Sequence, residues 1–455
     1  MVLSNILQRY FAWTTKISDA VISWYLENSR LIVDWMHYAF NNIFFILLYI
    51  GVILSLSYIL LSLLSSFYKD EAYEPISDDE APILSVHIPT RNELAALDCA
   101  RHCLKSDYPD DKLQIIIGDD SDQPSISQKI QAFADQHEKV TVAARDDNVG
   151  YKPGNLNNML TVTNGDYIAV FDSDFKPGED FLRRLVTPMV RDDSIHATQG
   201  RWDPYNAGQN YTTGLGTTIT DVFDYVALPF VDRTLNTVVL RGSAECVRRS
   251  TLNELGQWKS GSFTEDIEFS MRLLKEGYGV QWVPDAKCPM ELPFIPMDLY
   301  KQQMRWAYGV VTSWITHGKD IVSNLFTFDS ERRPVAGFTM ATILLLGYIL
   351  STVLFGLVFF GTLSFLTHPI GPFNAPQFFS ETGRNILLTS GLILITGVGM
   401  WRAGRGSKYP KSLLSMFTLG IITTFYVNKG IYRALTNKNM EWFLLSKSGN
   451  QQETQ

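Results

Sequence analysis

The stretch Tyr167-Ile168-Ala169-Val170-Phe171-Asp172-Ser173-Asp174 decides how the rest of the chain is read. Five apolar residues in a row fit a strand buried on both faces, the kind found in parallel sheets. Two carboxylates then stand at its C-terminal end, where open α/β sheets bind their ligands. Two further runs repeat the pattern. Ile83–Ile88 leads through Pro89 into Thr90-Arg91-Asn92-Glu93, and Leu113–Gly118 leads into Asp119-Asp120. Helical spacing at Glu93–Leu104, Ser127–Gln136 and Asn155–Leu160 separates the runs. Strands alternating with helices predict an α/β domain with a mixed, mostly parallel sheet and one polar edge. The domain contains neither GxGxxG nor GxxxxGK[ST], so a dinucleotide site and a P-loop have no support. Asp172 and Asp174 are hard oxygen ligands suited to Mg²⁺ or Mn²⁺, a cation that commonly shares its shell with substrate phosphate.

The composition places this domain beside a membrane. The 455 residues include 39 Lys plus Arg and 47 Asp plus Glu, a formal net charge of −8, which argues against a nucleic-acid partner. Hydrophobic residues make up 46% and charged ones only 19%, against about 25% charged in soluble domains. Disorder is excluded for most of the chain. The four cysteines, Cys99, Cys103, Cys246 and Cys288, form no CxxC pair, which speaks against zinc and fits a reducing, cytosol-facing domain.

Ile43–Phe67 is 25 residues without a charge and Val335–Thr367 is 33, each long enough to span a bilayer. Ile386–Trp401, with 16 uncharged residues, is expected as a third span, and Ser412–Asn428, with 17, as a helix at the interface. Arg402, Arg405, Lys408 and Lys411 between them mark a cytosolic loop. In the first 42 residues Leu3, Ile6, Leu7, Tyr10, Phe11, Ile17, Val21, Trp24 and Tyr25 recur at helical spacing, as in an interfacial helix or one packed on the spans. The organisation expected is an N-terminal segment 1–42, a span 43–67, an acidic linker 68–81, the catalytic domain 82–300, interfacial helices 301–330, two spans within 335–401, an interfacial or spanning helix 402–440, and a C-terminal segment 441–455.

Several motifs follow one another in order: Ile88-Pro89-Thr90-Arg91-Asn92-Glu93, Asp119-Asp120, Gly150-Tyr151-Lys152-Pro153-Gly154-Asn155, Asp172-Ser173-Asp174, Gly242-Ser243-Ala244, Thr264-Glu265-Asp266 and Gln302-Gln303-Met304-Arg305-Trp306. Together they resemble a processive family 2 glycosyltransferase of the cellulose synthase superfamily. Arg145–Lys152 and Glu291-Leu292-Pro293 resemble its mannan and glucomannan synthase-like branch. The resemblance implies a cytosolic GT-A glycosyltransferase domain inserted between transmembrane and interfacial helices, in a multi-pass plasma (inner) membrane protein. It implies that Thr90, Glu93, Asp119 and Asp120 hold the nucleoside, that Lys152 and Arg305 meet the diphosphate, and that Gln302 belongs to the donor site. Asp172 and Asp174 contact donor and metal. Asp266 is the general base, within Thr264-Glu265-Asp266. Trp306, with Gly242 and Ser243, meets the acceptor. Glu441–Gly449 resembles the gating loop, with Ser446 and Lys447 as its hydroxyl and lysine.

The implied activity is inverting elongation of a β-linked polysaccharide, β-glucan or (gluco)mannan, from UDP-glucose or GDP-mannose, with translocation of the product. The alternative is a non-processive enzyme adding one or two sugars to a membrane lipid. So few spans leave room for an oligomer or an accessory export subunit, and membrane lipids surround either enzyme. Thr264 also suits a helix N-cap. Arg241 stands where cellulose synthases carry Cys and Arg91 where an aromatic is frequent, and both departures count against cellulose as the product.

Overall fold

The computed structural model describes residues 2–68, 70, 72–145, 147–326, 334–368 and 374–448. The side chains of residues 2–8, which include Leu3, Ile6 and Leu7, lie outside the described set, as do Asp146, residues 327–330 of the expected interfacial segment and Gly449. The chain forms two compact units, Met1–Leu56 with Thr352–Thr389, and Ser57–Ser351 with Ser390–Gln455.

The second unit is built on a seven-stranded sheet: β1 Leu84–Thr90, β2 Leu113–Asp119, β3 Val140–Ala144, β4 Tyr167–Val170, β5 Ile195–Pro204, β6 Glu245–Arg248 and β7 Gly279–Met290. The order is β3-β2-β1-β4-β6-β5-β7. β6 alone runs antiparallel to its neighbours, so the sheet is mixed and mostly parallel, as the strand pattern implies. β1 is buried at all seven positions and β4 at all four, because helices cover both faces. One apolar core joins Val86, Ile88, Ile115 and Phe171 to Cys99 and Leu185; another joins Ile116, Ile168 and Val170 to Leu156 and Trp258. In register, Thr90 lies beside Asp119 at the C-terminal ends of β1 and β2, and β4 ends one residue before Phe171-Asp172. Three parallel strands thus deliver their polar ends to one edge. All four cysteines are free and buried.

The helices outside the sheet differ from expectation in three places. The N-terminal segment and the first span are one helix, Val2–Ser65, because no Gly or Pro interrupts the chain before Gly51. Phe11, Trp24 and Trp35 stand 64%, 65% and 70% exposed along it. Ile386–Trp401 is split into Ala375–Leu388 and Gly391–Arg402, a break at a Ser-Gly pair, the kind of site where helices kink. Ser412–Asn428 is divided at Thr418 into Tyr409–Phe417 and Leu419–Leu435. The first of these lays Ser415 against Gly214, and the second lays Gly430 against the backbone of Met304. Among the described residues two helices are long and apolar enough to cross a membrane, Arg9–Ser65 and Pro334–Leu366, or three if the pair broken at Thr389-Ser390 counts as one span.

Candidate active site

The cleft lies above the ends of β1, β2 and β4. Thr90 Oγ donates to the carbonyl of Glu93 (3.1 Å), closing the turn after β1 and leaving both residues at the cleft wall. Asp120 receives two hydrogen bonds of 2.5 Å from Arg145, which pins the loop after β3. Burial raises the pKa of Asp120 despite this cation. Asp119, 3% exposed, accepts the Ser121 N–H at 2.9 Å, which holds the turn after β2.

Lys152 stands in the first turn of helix Tyr151–Leu160, which opens at Gly150 with φ +78°. Its ammonium donates to Asp172 (2.8 Å) and to the Gly242 carbonyl (2.7 Å), and pairs with Glu265 at 2.9 Å. Burial alone would lower its pKa; the two carboxylates outweigh burial and raise it, so the lysine stays charged. Burial pushes Asp172 up, but Lys152 and Lys447 reverse the sign and hold it ionised. Asp174 goes the other way: burial raises it, against the pull of Lys447.

Asp266 sits in the first turn of helix Glu265–Glu276, facing Gly242 across the cleft. Burial and the neighbouring Glu265 carboxylate push it up to about 7, against Lys152 and Arg305. That is the range in which a general base works best at neutral pH. A Cβ at Gly242 would stand 3.2 Å from the Asp266 carboxylate, and φ there is +81°, so glycine is required twice over. Thr264 occupies the N-cap position without capping: its hydroxyl makes no hydrogen bond and is buried. The reason is tertiary. Helix Pro296–Asn324 crosses directly over it, and a Cβ at Gly309 would fall 2.1 Å from the Thr264 hydroxyl. Arg305, one turn earlier on that helix, donates to the Phe263 carbonyl at 2.9 Å. Gly309 and Arg305 thereby set the loop that aims Asp266. Gly309→Ala is expected to shift this loop and reduce transfer about 10-fold or more with the fold retained, as small misplacements at reacting groups do. Parallel measurement of transfer rate and thermal midpoint checks it; wild-type activity would mean the approach is slack.

Gln302, Arg305 and Trp306 line the cleft from this helix. Ser243 does not line it. It is fully buried and accepts the Asp172 N–H on its hydroxyl at 2.9 Å, tying β4 to the turn before β6. The sequence reading missed two residues here: Trp202, which lines the cleft, and Glu245, buried behind the Arg241-Gly242 turn. Trp202 on β5 lies 6.5 Å from Trp306, ring to ring, and donates to the Ser243 carbonyl. Glu245, pushed up to about 8 by burial and by Asp266, accepts the N–H groups of Arg241 and Gly242 at 3.0 and 2.7 Å. A lone acid opening the short apolar strand Cys246-Val247 was the available signal for Glu245; Trp202 between two charges, Arg201 and Asp203, was the signal for the other.

The C-terminal segment lies across the opening. Trp442 stacks on Tyr151 (5.6 Å, 12°), with the Arg305 guanidinium 4.7 Å from its ring. Ser446 N–H donates to Asp298 (3.0 Å), and Lys447 bonds to Glu93 (3.0 Å), Ser173 (2.7 Å) and Asp174 (2.9 Å). Asp172 and Asp174 are therefore each balanced by a lysine. Among the described residues no three acidic, His or Cys side chains converge on one point. Two carboxylates at one strand end suit a hard cation whose remaining ligands come from phosphate and water.

Comparison with known proteins bears on the family and the fold. The model of glycosyl transferase family group 2 matches residues 167–401, just over half of the chain. Glucomannan 4-beta-mannosyltransferase 7 of Arabidopsis thaliana is 31% identical over 255 residues, 53% of this chain and 46% of that one. Glucomannan 4-beta-mannosyltransferase 1 of Oryza sativa subsp. japonica is 28% identical over 267 residues, 55% and 51% of the two chains. The chain spans about half the length of the curated relatives it matches. A mannosyltransferase from Pyrobaculum calidifontis, solved with GDP-mannose and Mn²⁺, superposes with a TM-score of 0.54 at 14% identity, covering 90% of this chain and 100% of the other, which establishes the shared GT-A fold. The chain belongs to glycosyl transferase family group 2.

Proposed function

We propose that this chain is a membrane-bound, inverting hexosyltransferase that elongates a β-linked polysaccharide of the mannan or glucomannan type from a cytosolic nucleotide sugar. The observation that carries the reading is Asp266: a half-buried carboxylate pushed up to a pKa of about 7, beside Lys152, Gly242 and the Arg305–Trp306 helix turn. Inverting transfer needs one base to take the acceptor hydroxyl proton while the nucleoside diphosphate leaves from the opposite face. Asp266 takes that proton. Lys152 and Arg305 hold the diphosphate and stabilise the charge growing on it. Thr90, Glu93 and Asp120 hold the nucleoside, and Trp306 offers an apolar face to the acceptor sugar. Asp172 and Asp174 would hold a Mg²⁺ or Mn²⁺ ion, which when bound neutralises charge on the leaving diphosphate. The relatives' names and the bound GDP-mannose of the Pyrobaculum enzyme favour GDP-mannose over UDP-glucose as donor. Ser446 and Lys447 act as the gate over the donor. Lys447 pairs with Asp174 at 2.9 Å, so it would have to give up that contact for Asp174 to hold a cation. Product export through the chain's own helices, with an oligomeric or accessory partner completing the path, and a plasma (inner) membrane location with the catalytic domain cytosolic belong to the same reading, supported by the two helices long enough to cross.

The test is purified protein in lipid nanodiscs with Mg²⁺ or Mn²⁺, supplied with radiolabelled GDP-mannose or UDP-glucose, and sizing of the product. A long polymer from one donor supports the reading. Label in the lipid extract, one or two sugars long, replaces it with the glycolipid enzyme. The pH profile follows from the sign of the Asp266 shift. The base works only when deprotonated, so transfer falls as pH drops through about 7, approaching 10-fold per pH unit below it. A flat rate between pH 5 and 8 would remove Asp266 from the base role.

A further inference from the structure

Arg241 takes no part in the chemistry above, yet its placement is tightly specified. Its backbone N–H is shared by Gln199 (2.8 Å) and Glu245 (3.0 Å), so the turn Arg241-Gly242 is fixed from beneath. Its guanidinium lies over the face of Trp202, 3.8 Å from the ring centroid, with the Phe223 ring at 5.0 Å. Nη1 donates to Asp224, a fully buried carboxylate in the π-turn Phe223–Ala227. The side chain is 10% exposed and borders the cleft next to Asp266 and Trp306.

Arginine carries five N–H donors in a rigid fork. Among the described residues the guanidinium makes one hydrogen bond, that to Asp224. A buried cation with idle donors is costly unless a ligand completes it. Asp224 already balances the charge, so the free donors are suited to neutral oxygens rather than to a second anion. A sugar hydroxyl is such an oxygen. Trp202 supports the fork by a cation–π contact, which fixes its plane.

We propose that Arg241, clamped by Asp224 and Trp202, is a specificity-determining residue on the acceptor side, its free guanidinium donors binding ring hydroxyls of the terminal hexose next to Asp266. This rests on the polysaccharide reading above. π-turns recur at functional sites; here the turn places Asp224 under the guanidinium.

The experiment measures binding of β-1,4-mannohexaose and of cellohexaose to the full chain in nanodiscs, together with GDP-mannose binding and thermal unfolding. Arg241→Met is expected to weaken the preferred hexaose about 10–100-fold, the effect of losing hydrogen bonds to a charged donor. In transfer assays the acceptor KM rises while kcat stays within about 3-fold, and donor binding is unchanged. Arg241→Lys keeps the partner of Asp224 but loses the fork. It guards against a folding defect, and should also weaken the hexaose while unfolding at the wild-type temperature. Hexaose binding equal to wild type in Arg241→Lys overturns the inference, as does a parallel loss of hexaose and donor binding. Failure of the wild-type protein to bind either hexaose, with donor binding intact, overturns the polysaccharide reading itself.

Discussion

Asp266→Asn is expected to lower transfer by about 10²–10⁴-fold while donor binding survives. The substitution keeps the shape of a side chain packed against Gly242 and removes the one feature the reaction uses, a carboxylate that titrates at about 7. The stability cost should be small or reversed. Holding this carboxylate charged in the cleft is opposed by burial and by Glu265, and the neutral amide relieves both. Incorporation of label into polymer measures the loss, and calorimetric titration with GDP-mannose measures what remains of donor binding. An equal loss of both would place Asp266 in the donor site instead. Residual transfer above a tenth of wild type would leave the acceptor proton to another group, with Glu245 and Glu265 the nearest candidates in charge.

Lys152→Met should damage both stability and donor binding, for one electrostatic reason. The ammonium is 14% exposed and pairs with Asp172 and with Glu265, itself 4% exposed. Removing a partner from a buried ion pair leaves an uncompensated charge, typically a loss of about 3–5 kcal/mol. The donor diphosphate loses a charge-assisted contact in the same step. The double variant Lys152→Met/Glu265→Gln separates the two effects. It removes one stranded carboxylate, so it should unfold at a higher temperature than the single variant and still bind the donor weakly. A single variant as stable as wild type would mean that Lys152 is not the counter-ion of these acids. Recovery of donor affinity in the double variant would mean that its contribution to the donor is only structural.

How much of this was legible in the sequence depends on the range of the interaction. The three parallel strands, their polar ends and the ordered motifs were readable, because an unbroken apolar run followed by carboxylates is a local pattern. β5, β6 and β7 escaped it. The charges of Arg201-Trp202-Asp203 and the lone Glu245 look like surface residues until a buried partner is known. Arg201 pairs with Asp70 at 2.7 Å, Asp203 pairs with Arg405, and Glu245 holds the N–H groups of a turn. Thr264 has the sequence of a cap, but the passage of Gly309 over it decides its role. Ser243 sits in the expected motif, yet the tie to Asp172 turns it inward.

By itself the sequence determined the α/β architecture, the site edge and the family, because strand periodicity and short motifs are encoded within a few residues. Only the tertiary structure decided which side chains meet. Lys447 reaches Glu93 across 354 residues of chain, Arg305 props the loop before Asp266, and Arg241 lies flat on Trp202 over a buried Asp224. Such contacts are set by how helices and sheet pack. Their energy comes from desolvation and charge balance, which no spacing along the chain records.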